Sequence, residues 1–504
     1  MTSLVVHGHF YQPPRENPWT GAVDRETSAH PFPNWNARIL DECYARNRSV
    51  PLADTSGAVG SADNYRSLSF DFGPTLLDWL RKTDPDTVFA LQEADAASVR
   101  ERGHGNALAH GYNHSILPLQ SLRNRRTQIR WGLAHFRSVF GREAEGFWLP
   151  ETAADDATLD ALAEEGIRFT ILSPGQLAAV RSWPEDSWRT EIRADDLGRA
   201  YRYRTRGNRE IVVVFYDGSA SGEMAFGQLL EDGGALAERL RRGLAERDSH
   251  SPFFSVALDG ESFGHHHRGG AEALAKAFRQ LRSAGVSITN FAAALDAHPP
   301  SAEALLREPG SWSCVHGVER WRDHCGCTTG GDPEWDQTWR RPLFEALHDL
   351  EAALAGIFER EGGKVLRDPW AARDAYIDLL LQDSEELRRA FLADHGWAAA
   401  SSGRIWSLLQ MEQYALLMFT SCGWFFDDPV RLETRQILRY AARALEFCPG
   451  PGNKTLETHF LERLRPLRSN KEVGLDGEDL YRDVVKSSRS GEPGAMRYED
   501  SPRE

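Results

Sequence analysis

Two carboxylates in this chain stand where a strand-like run stops, and together they could share one piece of acid–base chemistry. Glu151 follows Gly146-Phe-Trp-Leu-Pro150, an apolar, aromatic run that its proline ends. Asp259 closes the run Val256-Ala-Leu258, and Gly260 after it frees the backbone to turn. Glu261-Ser-Phe-Gly264-His-His-His267 follows. Opening a glycosidic bond with retention needs such a pair: one ionised carboxylate attacks while the other, protonated, helps the leaving group depart. An apolar wall disfavours the charged form of a neighbouring acid and raises its pKa, as a proton donor requires. Taken singly, each carboxylate also suits a helix cap or a turn.

Other residues compete for attention. Asp217, in Val214-Phe-Tyr-Asp217-Gly, ends the preceding strand run and is the reserve acid; Glu261 lies two residues beyond Asp259. The alternative use of both is hydrogen bonding to sugar hydroxyls or to turn amides. His7 and His9, two apart on a strand, face the same side. With His110, His114, His265 and Asp259 they make a possible His/Asp zinc set, as in metal-dependent polysaccharide deacetylases or α-mannosidases. Cys314, His316, Cys325 and Cys327 could close a tetrahedral zinc site, although their spacing is not that of a standard ribbon or finger. The alternative is a loop of reduced thiols. Trp312, Trp321, Trp335 and Trp339 nearby suit either a sugar-facing loop or helical core packing.

The elements that must position these groups can be read from periodicity. Leu4–His9, Ile167–Leu172, Glu210–Tyr216 and Phe253–Leu258 are apolar runs of the kind parallel strands show when covered on both faces. Val286–Asn290 closes the series, and helical stretches such as Thr158–Glu165 and Ala271–Ser283 intervene. This alternation predicts βαβ units in a parallel barrel or sheet. The polar residues sit where strands end, which is where parallel α/β barrels carry their chemistry. From about residue 333 the pattern turns helical: Trp335–Glu361, Ala371–Asp394, Trp406–Thr420 and Pro429–Phe447. The predicted organisation is a catalytic barrel over residues 1–305, a loop and helical domain over 306–465 flanking the active-site cleft, and a tail over 466–504. Beyond about Lys486 the tail is polar and rich in Gly, Pro and Ser, and is expected to be disordered.

The two carboxylate segments resemble those of glycoside hydrolase family 57, which includes 4-α-glucanotransferases, α-amylases and glucan branching enzymes. The family's nucleophile lies in a Trp-Leu-x-Glu segment, matched by Trp148-Leu149-Pro150-Glu151. Its acid/base Asp directly precedes Gly-Glu-x-Phe-Gly, matched by Asp259 before Gly260-Glu261-Ser262-Phe263-Gly264. His9 with Gln12-Pro13, His110-Gly-Tyr-Asn-His114, Phe72–Trp79 and, faintly, Ser421–Asp427 resemble further family segments. The resemblance implies a (β/α)7 barrel followed by a helical domain, and a retaining mechanism on α-linked glucans without a metal or other cofactor. It implies Glu151 as nucleophile and Asp259 as acid/base. His7, His9, His110, His114, Trp148, Asp217, Glu261, His265 and Trp424 are then the substrate-binding residues. Beside the deacetylase-like or α-mannosidase-like alternative stands a non-catalytic carbohydrate-binding protein, against which the presence of both carboxylates argues.

Composition narrows the partners. A chain of 504 residues with 41% hydrophobic and 26% charged residues reads as a globular enzyme of more than one domain. Its net charge of −15 repels nucleic-acid phosphates and anionic membranes, and suits a neutral ligand such as an oligo- or polysaccharide. No run approaches the ~18 apolar residues of a membrane span. Met1–His7 reads as a first strand rather than a signal peptide, and six irregularly spaced cysteines do not make a secreted disulfide framework. The expected compartment is the cytoplasm.

Overall fold

The computed structural model describes residues 2–53, 59–183, 187–247, 251–397, 400–450 and 452–489. The chain forms two compact units. The first comprises the N-terminus to Gln12, Pro31–Tyr112 and Phe136–Val315; the second comprises Pro13–His30, Asn113–His135 and the chain from His316.

The first unit is the barrel. Its seven parallel strands are β1 (Ser3–Phe10), β2 (Ser69–Phe72), β3 (Ala109–His110), β4 (Gly146–Trp148), β5 (Phe169–Leu172), β6 (Glu210–Phe215) and β7 (Phe253–Asp259). β1 pairs in parallel with β7 on one side and β2 on the other. β3, β4, β5 and β6 then follow in order. A parallel bridge, Phe70 to Ala107, joins β2 to β3. The circle closes between β6 and β7, where the Asp217 amide donates to the Ser255 carbonyl (2.8 Å). The edge of β6 is otherwise taken by an antiparallel strand, Ala200–Arg204. The expected last strand, Val286–Asn290, is reduced to Ser287–Ile288, which pairs only with the start of β1. Helices between the strands cover the outside. In Gly270–Ser283 the buried Leu274, Phe278 and Leu281 recur at helical spacing, the stripe that faces a sheet.

Inside the barrel Val5, Phe169, Ile171, Val214, Phe253, Ala257 and Phe291 form an apolar cluster. Each large side chain there contributes roughly 1.5–3 kcal/mol by leaving water, so the polar residues concentrate at the C-terminal strand ends. The register fixes which of them meet. His9 lies opposite Asp259 on β7 and opposite Asp71 on β2, and paired residues of parallel strands point to the same face.

The second unit is helical. Its main elements are Arg340–Gly362, Glu385–His395, Ser402–Leu417, Leu432–Phe447, Gly452–Leu464 and Gly477–Arg489. Two stretches from within the first 305 residues belong to it, so the compact units do not follow a single cut at 305/306. Hydrogen bonds explain both. In the first stretch Trp19 Nε1 donates to Glu446 (2.9 Å) and Asn17 to the Ser488 carbonyl (3.2 Å); in the second, Asn124 and Thr127 accept from Arg373. The last helix runs to Arg489, within the tail expected over 466–504 and past the Lys486 beyond which disorder was expected. Leu480, Tyr481, Val484 and Ser488 are buried at helical spacing, which outweighs the polar composition. The rest of that expected tail, 490–504, lies outside the described residues. No described helix is long and apolar enough to cross a membrane.

Candidate active site

Glu151 has an unusual backbone. It lies in a short turn, Pro150–Thr152, with φ 58° and ψ 20°, and Thr152 after it has φ 49°. A residue with a Cβ pays roughly 1–2 kcal/mol for this left-handed conformation, so the surroundings must hold it there. The segment Trp312–Ser313 does so. The Trp312 amide donates to the Glu151 carbonyl (3.0 Å), Trp312 Nε1 donates to Glu151 Oε2 (2.9 Å), and the Ser313 hydroxyl donates to the same oxygen. Two donors on one carboxylate oxygen fix its orientation. Trp312→Phe keeps a ring against Trp148, 5.2 Å away between centroids, but deletes the indole donor. A hydrogen bond to a charged group is worth about 1.5–3 kcal/mol, so a roughly 10–100-fold fall in kcat/KM is expected, with little change in Tm. Steady-state kinetics beside a melting curve check this.

Asp259 ends β7 opposite His9. It is exposed to solvent, so a substrate can reach it, while desolvation by the surrounding protein, with the charges of Glu151 and Asp71, raises its pKa to about 7. It is therefore a carboxyl that carries a proton near neutrality, the property of a general acid. The turn beyond it requires glycine twice. A Cβ on Gly260 would sit 2.3 Å from the Phe10 ring; one on Gly264, at φ 153°, would sit 2.2 Å from the Glu42 carbonyl.

The histidines differ in the partners that hold them. His9 Nδ1 bonds to Asp71 Oδ2 (2.8 Å), and burial lowers its pKa to about 4 despite the charge of Glu151. His110 stacks on His9 at 5.4 Å and is likewise lowered to about 4 by burial. Both are neutral at physiological pH, and a neutral imidazole can donate to or accept from a sugar hydroxyl. His7 is fully buried one layer down, with Nδ1 on Ser69 and Nε2 on Asp71 (each 3.1 Å). With both nitrogens engaged it is neither a sugar contact nor a metal ligand, which corrects two expectations at once. His265 pairs through Nδ1 with Glu42 and packs edge-on to Trp35. His114, in the second unit, bonds to the Ser421 hydroxyl (2.6 Å).

Four more expected sugar contacts have structural positions. Trp148 has no exposed surface; it stacks on His7 (4.5 Å) and His9 (5.4 Å) and supports them from behind. Trp424 is 2% exposed in the second unit and stacks with Phe419, so it offers no ring face to a sugar. Asp217 caps the helix Gly218–Phe226 through the Ala220 amide (2.9 Å) and pairs with Arg247, which uses both its oxygens. Glu261 is buried and accepts from the Tyr44 hydroxyl (2.6 Å) and the Tyr11 amide (3.1 Å); burial and the charge of Asp259 raise its pKa to about 8. It shapes the turn from beneath. Of the expected sugar-facing tryptophans, Trp321 and Trp339 are buried in the second unit. Only Trp312 touches an acid of the site, by hydrogen bonding rather than as a platform.

Asp71, Trp312 and Ser313 are the residues whose roles at this site sequence reasoning missed. Asp71 links His7 to His9, and its one signal is an acid inside the short apolar run Leu68–Phe72.

The model of glycosyl hydrolase family 57 matches residues 7–305, and a domain of unknown function (DUF3536) matches 335–494. No curated protein matches the chain in sequence. Several solved structures share its fold. An exo-type maltose-forming amylase from Pyrococcus sp. ST04 is 15% identical with a TM-score of 0.70, over 96% of this chain and 88% of that one. A branching enzyme from Pyrococcus horikoshii is 13% identical, TM-score 0.57, over 100% and 98%. An α-amylase from Thermotoga maritima is 12% identical, TM-score 0.53, over 96% and 99%.

Proposed function

Because the chain belongs to glycosyl hydrolase family 57, we propose that Glu151 and Asp259 cleave or transfer α-linked glucans by a retaining mechanism. A Glu151 oxygen attacks the anomeric carbon, the glycosidic C–O bond breaks, and Asp259 gives its proton to the departing oxygen. Asp259, now a carboxylate, takes a proton from water or from a sugar hydroxyl. The oxygen so activated displaces Glu151 and regenerates both groups. The observation that carries this reading is the contrast between the acids. Glu151 accepts two side-chain hydrogen bonds, while Asp259 is pushed towards its protonated form partly by the charge of Glu151. Neutral His9 and His110 suit sugar hydroxyls rather than an ionic substrate. The α-glucan class is supported by relatives of this fold that are an amylase that forms maltose, a branching enzyme and an α-amylase.

The test is incubation with maltooligosaccharides over a range of pH, with products separated by chromatography. Shorter products signify hydrolysis, and longer or branched ones transfer. Asp259 must hold its proton to act, so kcat/KM should be sustained below pH 7 and fall as pH rises through about 7. Asp259→Ala should abolish that alkaline limb along with most of the rate. Unchanged oligosaccharides at every pH would reject the substrate class, and an alkaline limb retained in Asp259→Ala would reject the acid.

A further inference from the structure

Between Leu306 and Arg340 the only regular element is the single turn Glu319–Trp321. Stretches this long without secondary structure are uncommon in compact proteins unless something ties them. Three metal-binding side chains of the second unit converge here. His316, Cys325 and Cys327 bring one ligand atom each within 4.8 Å of one another, and Cys327 Sγ lies 3.6 Å from His316 Nδ1. Zinc held at ~2.3 Å by sulfur and ~2.0 Å by nitrogen in a tetrahedron requires neighbouring ligands about 3.5–3.8 Å apart, so this pair already stands at the required distance. Neither cysteine forms a disulfide.

We propose that the segment 316–327 binds one zinc ion through His316, Cys325 and Cys327, all of the second unit. Thiolates and an imidazole select zinc over the hard cations magnesium and calcium, which prefer oxygen. The backbone around the cysteines is held from outside the cluster. Arg340 Nη1 donates to the Cys327 carbonyl (3.2 Å), Arg320 Nη2 donates to the Thr328 carbonyl (3.0 Å), and the Thr329 and Gly331 amides donate to Asp427 (2.9 and 3.0 Å). His316 is exposed and Cys325 and Cys327 are half-buried, which lets an ion enter without unfolding the chain.

The experiment uses the full chain, purified under reducing conditions with no added metal, and measures metal by plasma mass spectrometry. About one zinc per chain is expected, retained through gel filtration and released by a thiol-modifying mercurial. Cys325→Ser, Cys327→Ser and His316→Ala should each lose at least nine-tenths of it, whereas Asp259→Ala and His9→Ala should keep it. Replacing the zinc with cobalt(II) should give the intense visible bands of a tetrahedral thiolate site in the wild-type chain. That readout remains available if a ligand variant fails to fold. Substoichiometric zinc together with a pale, octahedral cobalt spectrum would overturn the proposal. So would zinc that survives Cys325→Ser and Cys327→Ser but is lost in His9→Ala.

Discussion

Glu151→Gln stops turnover on every substrate, and Asp259→Ala stops it only on those with a poor leaving group: this is the expected pair of results if the two acids divide the work. Gln cannot attack, so the covalent intermediate never forms, and losses on the order of 10⁶-fold accompany removal of a covalent nucleophile. The amide still accepts from Trp312 and Ser313, so the left-handed turn is preserved and Tm should hardly move. Asp259→Ala leaves the nucleophile in place. Its natural-substrate rate should fall by ~10²–10⁴-fold, the usual contribution of a general acid, while an activated aryl glycoside still loads Glu151. The intermediate then accumulates, because no base remains to activate water. Azide needs no base and should restore turnover, and two successive inversions leave a glycosyl azide with the α configuration of the substrate. NMR of the product anomer decides the matter. A β-azide would mean direct displacement without an intermediate. Near-normal activity in both folded variants would reject the pair, and Asp71, bonded to His7 and His9, would be the next acid to replace. A crystal structure should find the two carboxyl groups roughly 5–5.5 Å apart, as retention requires.

Arg373→Met should cost about 3–5 kcal/mol of stability, a loss on a scale that no surface change approaches. In the second unit the Arg373 guanidinium, 1% exposed, donates to Glu412 Oε2 (3.0 Å), Asn124 Oδ1 (2.8 Å) and Thr127 Oγ1 (2.6 Å). Three elements distant in the chain meet at that one cation. Burial already raises the pKa of Glu412 against the pull of Arg373. Without the arginine, the carboxylate is left charged in a buried place or must take up a proton. A group whose folded pKa is raised loses stability as pH rises through the interval between its unfolded and folded values. The variant should therefore be relatively most stable at mildly acidic pH and fall off towards neutrality more steeply than the wild type, because the pull of Arg373 on the carboxylate is gone. The double variant Arg373→Met/Glu412→Leu removes both charges and should recover much of the loss. Equal losses in the single and double variants, by denaturant titration, would show that the pair is not coupled.

How much of this was legible in the sequence varies by kind of feature. Long apolar strands such as β1, β6 and β7 announced themselves, because a strand covered on both faces must be apolar along its length. β2 and β3 did not: four residues and two residues are too short to establish a period, and they exist because their neighbours pair with them. Glu151 and Asp259 were legible as motif residues at strand ends. The grip of Trp312 and Ser313 on Glu151 was not, since the partners lie 161 and 162 residues away and no local pattern records such a distance. The misread aromatic and histidine positions share one cause. A motif match names Trp148 or His7 but not the direction it faces, and in a barrel the residues just beneath the site are as constrained as those at its surface. Helix Gly477–Arg489 was partly obscured because Asp, Lys and Arg dominate its exposed side while a narrow apolar stripe does the anchoring.

The position of β1 has a consequence for the chain's birth. Its partner on one side is β2, but on the other it is β7, with Ser3 opposite Phe253 and His9 opposite Asp259. A ribosome adds roughly 5–20 residues per second, so the first strand to emerge waits on the order of ten to fifty seconds for its second neighbour. During that interval Leu4-Val-Val6 shows an apolar edge with unpaired amides and carbonyls, the kind of edge that recruits other nascent strands. Nor can His9 meet Asp259 until translation has passed residue 259, so a product truncated before it carries neither a closed barrel nor both acids. The pairing that sets Asp259 beside His9 thus leaves one edge of β1 open until the seventh strand has been made.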